Sequence, residues 1–229
     1  MGKDIIVLSL GGSIIIPKTG FEPKFLRGFK KMILDFLRRG FRFIIVCGGG
    51  ATCRNYQAAA RAVGGLSDEE ADRLGIQATR FNAFFVKTLF GKLAHPEITK
   101  APEQKYKWKE KILIGAGWDP GWSSDYDAVA LAKTYGAKTV INLSNIEYVY
   151  DSDPRQNPKA KKLVNISWKN FRKIVGNKWI PGANLPFDPI ASRLADKNKI
   201  KVIVMNGNNL PEVKKAIEGK KFIGTTIGG

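Results

Sequence analysis

The residues of this chain best suited to chemistry are glycines, and they are clustered: Gly11-Gly12-Ser13, then Gly48-Gly49-Gly50, then Gly115, Gly117 and Gly121. A phosphate can approach a backbone only where no Cβ intervenes, and successive N–H groups in a glycine turn at a helix start form an anion nest. Each cluster alone also reads as a tight strand-to-helix turn. Three of them in a chain of 229 residues point to two phosphorylated ligands. No Gly-x4-Gly-Lys-Ser/Thr and no Gly-x-Gly-x-x-Gly occurs, so neither the P-loop nor the dinucleotide scheme holds these phosphates. Taken singly, Asp72 reads as a solvated carboxylate near a helix start, Ser123-Ser124-Asp125 as a helix N-cap, Tyr150 as a strand residue, and Asp188 before Pro189 as a capping choice.

Such turns need a scaffold that gathers them on one edge. Short β-branched runs alternate with helical patterns, and Gly, Asn, Ser or Pro marks each junction, which implies an α/β fold with a parallel sheet covered by helices on both faces. Ligands then collect at the carboxyl ends of the strands. Strands are predicted over Ile5 to Leu10, Phe41 to Cys47, Ile112 to Ile114, Thr139 to Asn142 and Lys201 to Met205. The spacing of Phe25, Phe29, Met32, Ile33, Phe36 and Leu37 predicts a helix that Gly40 stops. Another is predicted over Ala51 to Val63, and Ser67 with Glu70 forms a capping box opening a longer one to about Leu89. Asp125 to Tyr135, Ser167 to Val175 and about Asp188 to Asn198 complete the helices. Gly91 to Lys111 is basic, holds two prolines and lacks periodicity, and is predicted to be a surface excursion.

Composition narrows the class of function. No apolar run approaches the roughly 18 residues of a membrane helix, and Gly11, Gly12 and Ser13 interrupt the apolar start, which reads as a strand and turn rather than a signal peptide. Two cysteines and a single histidine cannot build a four-ligand zinc site, so reduced thiols and a cytoplasmic protein are expected. The formal charge of +18 suits polyanionic nucleotides. It would also suit a non-catalytic nucleic-acid-binding protein, but the lysines are scattered without an aromatic-interleaved motif, which argues against a nucleic-acid partner.

Seven segments in order carry a resemblance: SLGGS at Ser9 to Ser13, CGGGATCR at Cys47 to Arg54, GIQATR at Gly75 to Arg80, DPGWSSD at Asp119 to Asp125, NLSN followed by Tyr150 and Asp153-Pro154, PFDPIAS at Pro186 to Ser192, and GTTI at Gly224 to Ile227. Together they resemble the amino-acid kinase family, and within it the UMP kinases of archaeal type, over about the whole chain except Gly91 to Lys111. The resemblance implies a three-layer α/β/α sandwich with a mainly parallel central sheet. It implies a single domain over 1–229, with about 1–115 holding the acceptor and about 116–229 holding ATP. The implied activity is transfer of the ATP γ-phosphate to UMP, giving UDP in pyrimidine nucleotide biosynthesis.

Roles follow by position. ATP contacts are implied for Gly11, Gly12, Gly50, Arg54, Ser144, Asn145, Tyr150 and Asp153, and UMP contacts for Gly49, Asp72, Trp118, Asp119, Pro120, Gly121, Trp122, Ser123 and Ser124. Arg54 and Asp188 are the implied catalytic residues, Asp188 organising the centre of the site. Mg²⁺ is expected on the ATP phosphates rather than in a protein site, and a homo-oligomer, a hexamer assembled from dimers, is implied. Two departures stand out. Many members place a lysine where this chain has Ser9, leaving Lys18, Lys161 and Lys162 as candidates, and Ile146-Glu147-Tyr148 replaces a common Val-Asp-Gly near the adenine pocket. Isopentenyl phosphate kinase, a rival within the family, uses a histidine soon after the glycine triplet; here that stretch is Ala51-Thr52-Cys53-Arg54, and the one histidine, His95, falls in the excursion with a surface role expected.

Overall fold

A strand covered on both faces reads as a continuous apolar run, and its successive side chains enter opposite layers. That is the behaviour of β1 (Ile5–Leu10), whose Val7 joins one apolar cluster while Leu8 and Leu10 join the other. The computed structural model describes residues 5–99, 101–178 and 185–228. The chain continues through α1 (Gly12–Ile15), α2 (Pro23–Arg38), β2 (Arg42–Cys47), α3 (Gly50–Gly64), α4 (Asp68–Phe90) and β3 (Ile112–Gly115). Then come α5 (Ser124–Tyr135), β4 (Thr139–Ser144), β5 (Val149–Tyr150), β6 (Lys162–Leu163), β7 (Asn165–Ile166) and α6 (Trp168–Val175). The last elements are α7 (Pro189–Lys197), β8 (Lys201–Asn206), α8 (Leu210–Ile217) and β9 (Thr225–Ile227).

Seven strands form one sheet in the order β3-β2-β1-β4-β8-β9-β7, parallel throughout except where β9 runs against β8, and β5 with β6 makes a separate antiparallel ribbon. One face of the sheet is covered by α1, α2, α4 and α8, through residues such as Phe29, Phe36, Val86 and Val213. The other is covered by α5, α6 and α7, through Val129, Leu131, Phe171 and Ala195. The result is the three-layer α/β/α sandwich that the residue pattern and the resemblance imply. The capping box at Ser67 and Glu70 is present in full.

Strand β1 pairs with β2 on one side and β4 on the other, and the chain leaves β1 and β4 toward opposite edges. The carboxyl ends of these two strands are therefore the topological switch point, where a ligand crevice belongs. Helices α1 and α8 and the short strands β5, β6, β7 and β9 are additions to the predicted set. Residues 91–111 differ from a simple excursion. His95 N–H donates to Ile112 C=O at 2.8 Å, Thr99 N–H donates to Ile114 C=O at 2.9 Å, and Trp108 is buried with the Arg42 guanidinium 3.8 Å over its ring. An edge strand leaves outer N–H and C=O groups unpaired, and this segment supplies donors to two outer carbonyls of β3. His95 keeps a peripheral role, with Nδ1 3.0 Å from Glu110 Oε2.

At the switch point two backbones meet. A Cβ added to Gly12 would lie 2.0 Å from Gly50 N, and one added to Gly50, at φ +63°, would lie 2.3 Å from Gly12 O. Gly12→Ala should therefore destabilise the fold by about 3 kcal/mol or prevent it, as overpacking against rigid backbone does. Gly64→Ala, where a Cβ meets nothing within 4 Å, should be neutral or mildly stabilising. Equilibrium urea denaturation of both variants checks the contrast.

Candidate functional site

The glycine turns come together because the sheet register brings the strand ends level. Leu10 and Cys47 are partners at the ends of β1 and β2, and Gly48 N–H donates to Leu10 C=O at 3.0 Å. Gly11 N–H donates to Leu143 C=O at 2.9 Å, which ties the same turn to the end of β4. The Gly48-Gly49-Gly50 turn is held from below by Asn82 of α4, which is buried and whose Nδ2 donates to Gly48 C=O at 2.8 Å and to Gly49 C=O at 3.0 Å. With their carbonyls engaged, these turns present the start of α3 as an anion site. Arg54, in the second turn of α3, is exposed, and its guanidinium pairs with no carboxylate among the described residues.

The third glycine turn lies against α4. Thr79 Oγ1 accepts from Gly117 N–H at 2.8 Å, Arg80 Nη2 donates to Trp118 C=O at 3.2 Å, and Asp72 Oδ2 accepts from Gly121 N–H at 2.9 Å. The loop Trp118, Asp119, Pro120, Gly121 and Trp122 is thus strung along one helix. It ends with Trp122 stacked on Tyr126, ring centroids 4.1 Å apart, and with Ser123 as the N-cap of α5, its Oγ accepting from Tyr126 N–H at 3.2 Å. Ser124 is the first residue of that helix. A cavity of about 540 Å³ opens between α4 and this loop, lined by Leu74, Ile76, Gln77, Arg80, Trp118 and Pro120 among others.

Behind the glycine crossing sits a group of acids, Asp127 and Asp188 buried and Asp125 half-buried. Asp125 Oδ1 accepts from Ser9 Oγ and from Asn142 Nδ2, both at 3.0 Å, and Oδ2 accepts from Asp188 N–H at 3.3 Å. Ser9 and Asn142 are register partners on β1 and β4, so one carboxylate braces two central strands to α5 and to the start of α7. Burial pushes the Asp125 carboxyl up to about 7, the Asp188 charge adds to the rise, and the hydrogen bonds from Ser9 and Asp188 N–H oppose it. Asp188 caps α7 through Ala191 N–H, 2.5 Å from Oδ1, while its buried Oδ2 has no hydrogen-bond partner among the described residues. Burial raises its carboxyl too. The cations that face Asp127 and Asp188 are Arg80 and Arg193.

The remaining sequence-derived residues are more dispersed. Ser144 ends β4 and its Oγ accepts from Ile146 N–H at 3.3 Å; Asn145 is exposed beside it. Tyr150 lies in the β5–β6 ribbon opposite Lys162, whose ammonium stands 5.0 Å over the Tyr148 ring. The Asp153 carboxylate is engaged by Arg155 in the following turn, at 3.0 and 2.8 Å. Lys18 and Lys161 are exposed, and no lysine is among the groups facing Asp125 or Asp188. Sequence reasoning missed the structural parts of the site: Ser9 and Asn142 as donors, Asp125 as their acceptor, Asn82 under the glycine turn. Asn82 carries a legible signal, because it falls on the inward face of α4 with Ala71, Ala78 and Val86, where an apolar residue is the rule.

The profile of the amino acid kinase family matches residues 4–206. The uridylate kinase of Methanococcoides burtonii is 32% identical, covering 98% of this chain and 97% of that protein. The uridylate kinase of Methanococcus maripaludis is 34% identical, covering 97% and 98%. Among solved structures, the uridylate kinase of Archaeoglobus fulgidus superposes with a TM-score of 0.82 at 28% identity, over 97% of this chain and 99% of its own.

A carboxyl held near 7 in the folded chain and near its ordinary 3.8 when unfolded adds stability that is complete below the lower value and lost as pH rises through the upper one. Asp125→Asn is neutral at every pH, so it should gain on wild type between about pH 4 and about pH 7 and hold that gain above. Urea midpoints of the two proteins across that range measure the crossing trend.

Proposed function

Because the chain belongs to the amino acid kinase family, we propose that it is a UMP kinase, an ATP-dependent nucleoside-monophosphate kinase that moves the γ-phosphate of ATP onto UMP and releases UDP. The observation that carries this is the backbone contact between Gly12 and Gly50, which leaves no room for a side chain between the two anion turns. Phosphoryl transfer asks for in-line placement of two anions and compensation of charge on the moving group, with little covalent work for the protein.

In this reading ATP lies on the side of Gly11, Gly12, Gly50, Ser144, Asn145, Tyr150 and Asp153. UMP lies between Gly49, Asp72 and the loop from Trp118 to Ser124. Arg54, on the exposed side of α3 and unpaired by any carboxylate among the described residues, would supply positive charge to the anion site at the start of that helix. Asp188 supplies a buried acceptor oxygen at the centre, of the kind a hydrated Mg²⁺ entering on the ATP phosphates uses. When bound, Mg²⁺ would neutralise charge on the β- and γ-phosphates. Among the described residues no group of His, Cys, Asp and Glu stands ready to cage a metal. The reading extends to a cytoplasmic enzyme of pyrimidine nucleotide biosynthesis acting as a homo-oligomer, a hexamer. The exposed Phe81 and Phe84 on α4 support assembly, and no helix is long and apolar enough to cross a membrane among the described residues.

A coupled ADP-release assay with UMP, CMP, dUMP, isopentenyl phosphate, carbamate and acetylglutamate tests the assignment. UMP should give the highest kcat/KM, and turnover of isopentenyl phosphate without UMP would transfer the acceptor site to that class. Arg54→Ala should lower kcat more than it raises the KM for UMP, since charge on the transferring group peaks in the transition state. An unchanged kcat with a raised UMP KM would put Arg54 on the acceptor. Asp72→Ala should cut the preference for UMP over dUMP by roughly tenfold while sparing ATP, the loss expected when a carboxylate enclosed by the bound nucleotide no longer meets a sugar hydroxyl. Retention of both the UMP KM and the ratio would leave Asp72 as an anchor for Gly121 alone.

A further inference from the structure

Asp127 is the buried acid that the reading above does not use. It lies in the first turns of α5, 1% exposed, and neither carboxylate oxygen has a hydrogen-bond partner among the described residues. The N–H of Trp118 faces the carboxylate without closing a hydrogen bond to it. The charged groups around it are Arg80 from α4, its neighbour Asp125 on α5, and Asp188 from the start of α7. Burial raises its carboxyl well above the ordinary range, and the two acids add to the rise while Trp118 N–H and Arg80 oppose it. A Val or Leu would fill such a position at no electrostatic cost, so a carboxylate there needs a counterpart.

The counterpart lies across the loop. Arg80 Nη2 donates to Trp118 C=O, and its Nε is itself buried with no partner. The backbone of a single residue, Trp118, therefore stands between a carboxylate that faces its N–H and a guanidinium that binds its C=O. The preceding N–H, of Gly117, is taken by Thr79 Oγ1. Two orphaned groups of opposite charge, each aimed at the same stretch of main chain, complement one another; a small shift of that stretch would satisfy both.

We propose that Asp127 is a positioning residue for the acceptor: with Arg80 it clamps the Trp118 backbone and so sets the loop from Trp118 to Ser124 that receives the acceptor nucleotide. The proposal rests on the acceptor-loop assignment made above. Asp127 touches no reacting atom in it. Its effect passes through the loop and falls on acceptor binding rather than on ATP.

The test is a double-mutant cycle with Asp127→Val and Arg80→Met, read as separate Michaelis constants for UMP and ATP, with hydrogen exchange of the amides from Gly117 to Gly121 in the same proteins. Each single variant should raise the UMP KM about tenfold, leave the ATP KM within about twofold, and speed exchange in that segment, while the double variant should be little worse than the poorer single. Asp127→Val should do this without lowering the melting temperature, since an apolar side chain in place of a buried orphan charge favours the fold. A UMP KM unchanged in Asp127→Val, an equal rise for both substrates, or fully additive singles would overturn the clamp. Should Asp127→Val fail to fold, Arg80→Met and Asp127→Asn give the same two readouts. Should wild type fail to phosphorylate UMP, the functional reading falls, and the exchange rates still decide the clamp: faster in the variants supports it, unchanged overturns it.

Discussion

Everything at the carboxyl edge of the sheet depends on the contact between two stretches of bare backbone, Gly11-Gly12 after β1 and Gly48-Gly49-Gly50 after β2. Neighbouring parallel strands place their ends about 4.8 Å apart, and here the turns that follow them close even that gap, so that any Cβ at Gly12 or Gly50 would overlap main-chain atoms. Two phosphates can approach each other only if nothing stands between the surfaces that hold them. In the proposed reading the contact would meet that condition with backbone N–H groups, which are fixed in place and need no reorganisation as charge moves. Asn82 holds the outer turn from below and Leu143 C=O holds the inner one from the side.

Bare backbone brings partial charges only, and the centre of the site adds acids rather than cations. Asp127 and Asp188 are buried there and Asp125 is half-buried beside them. Where the family resemblance suggests a strand lysine, Ser9 provides a neutral donor, joined by Asn142. Burial and the neighbouring Asp188 charge hold the Asp125 carboxyl at about 7, and the hydrogen bonds it accepts from Ser9 and from Asp188 N–H offset only part of that rise. The compensating positive charge comes from farther out: Arg54 on α3, Arg80 and Arg193 toward the acids, and the overall excess of +18. Such a distribution leaves the centre receptive to a cation arriving with a nucleotide.

Much of this was legible in the sequence, and the parts that were not share a cause. The strands before each glycine cluster, the capping box at Ser67 and the inward stripe of α2 are encoded within a few residues of one another, in hydrophobic period and turn chemistry. The order of the strands, the bracing of Ser9 and Asn142 onto Asp125, and the hydrogen bond from Arg80 to Trp118 C=O join residues far apart in the chain, 17 to 116 positions for the three side-chain contacts. Nothing local distinguishes Asp125 as a brace from Asp125 as an ordinary first-turn acid of α5. Residues 91–111 misled for a related reason: their irregular pattern looks like an excursion until β3 is known to be an edge strand that needs cover. Asp153 shows the reverse case, a carboxylate for which the resemblance implies an adenosine contact but which Arg155 engages in this structure.

The most direct measurement of the account is a crystal structure with a bisubstrate analogue in which adenosine and uridine are joined through a chain of phosphates. The phosphates should run across the contact between Gly11-Gly12 and Gly48-Gly50, with uridine between Asp72 and the loop from Trp118 to Ser124 and adenosine toward Ser144 and Tyr150. A phosphate chain bound away from that contact, or the two nucleosides in exchanged places, would contradict it.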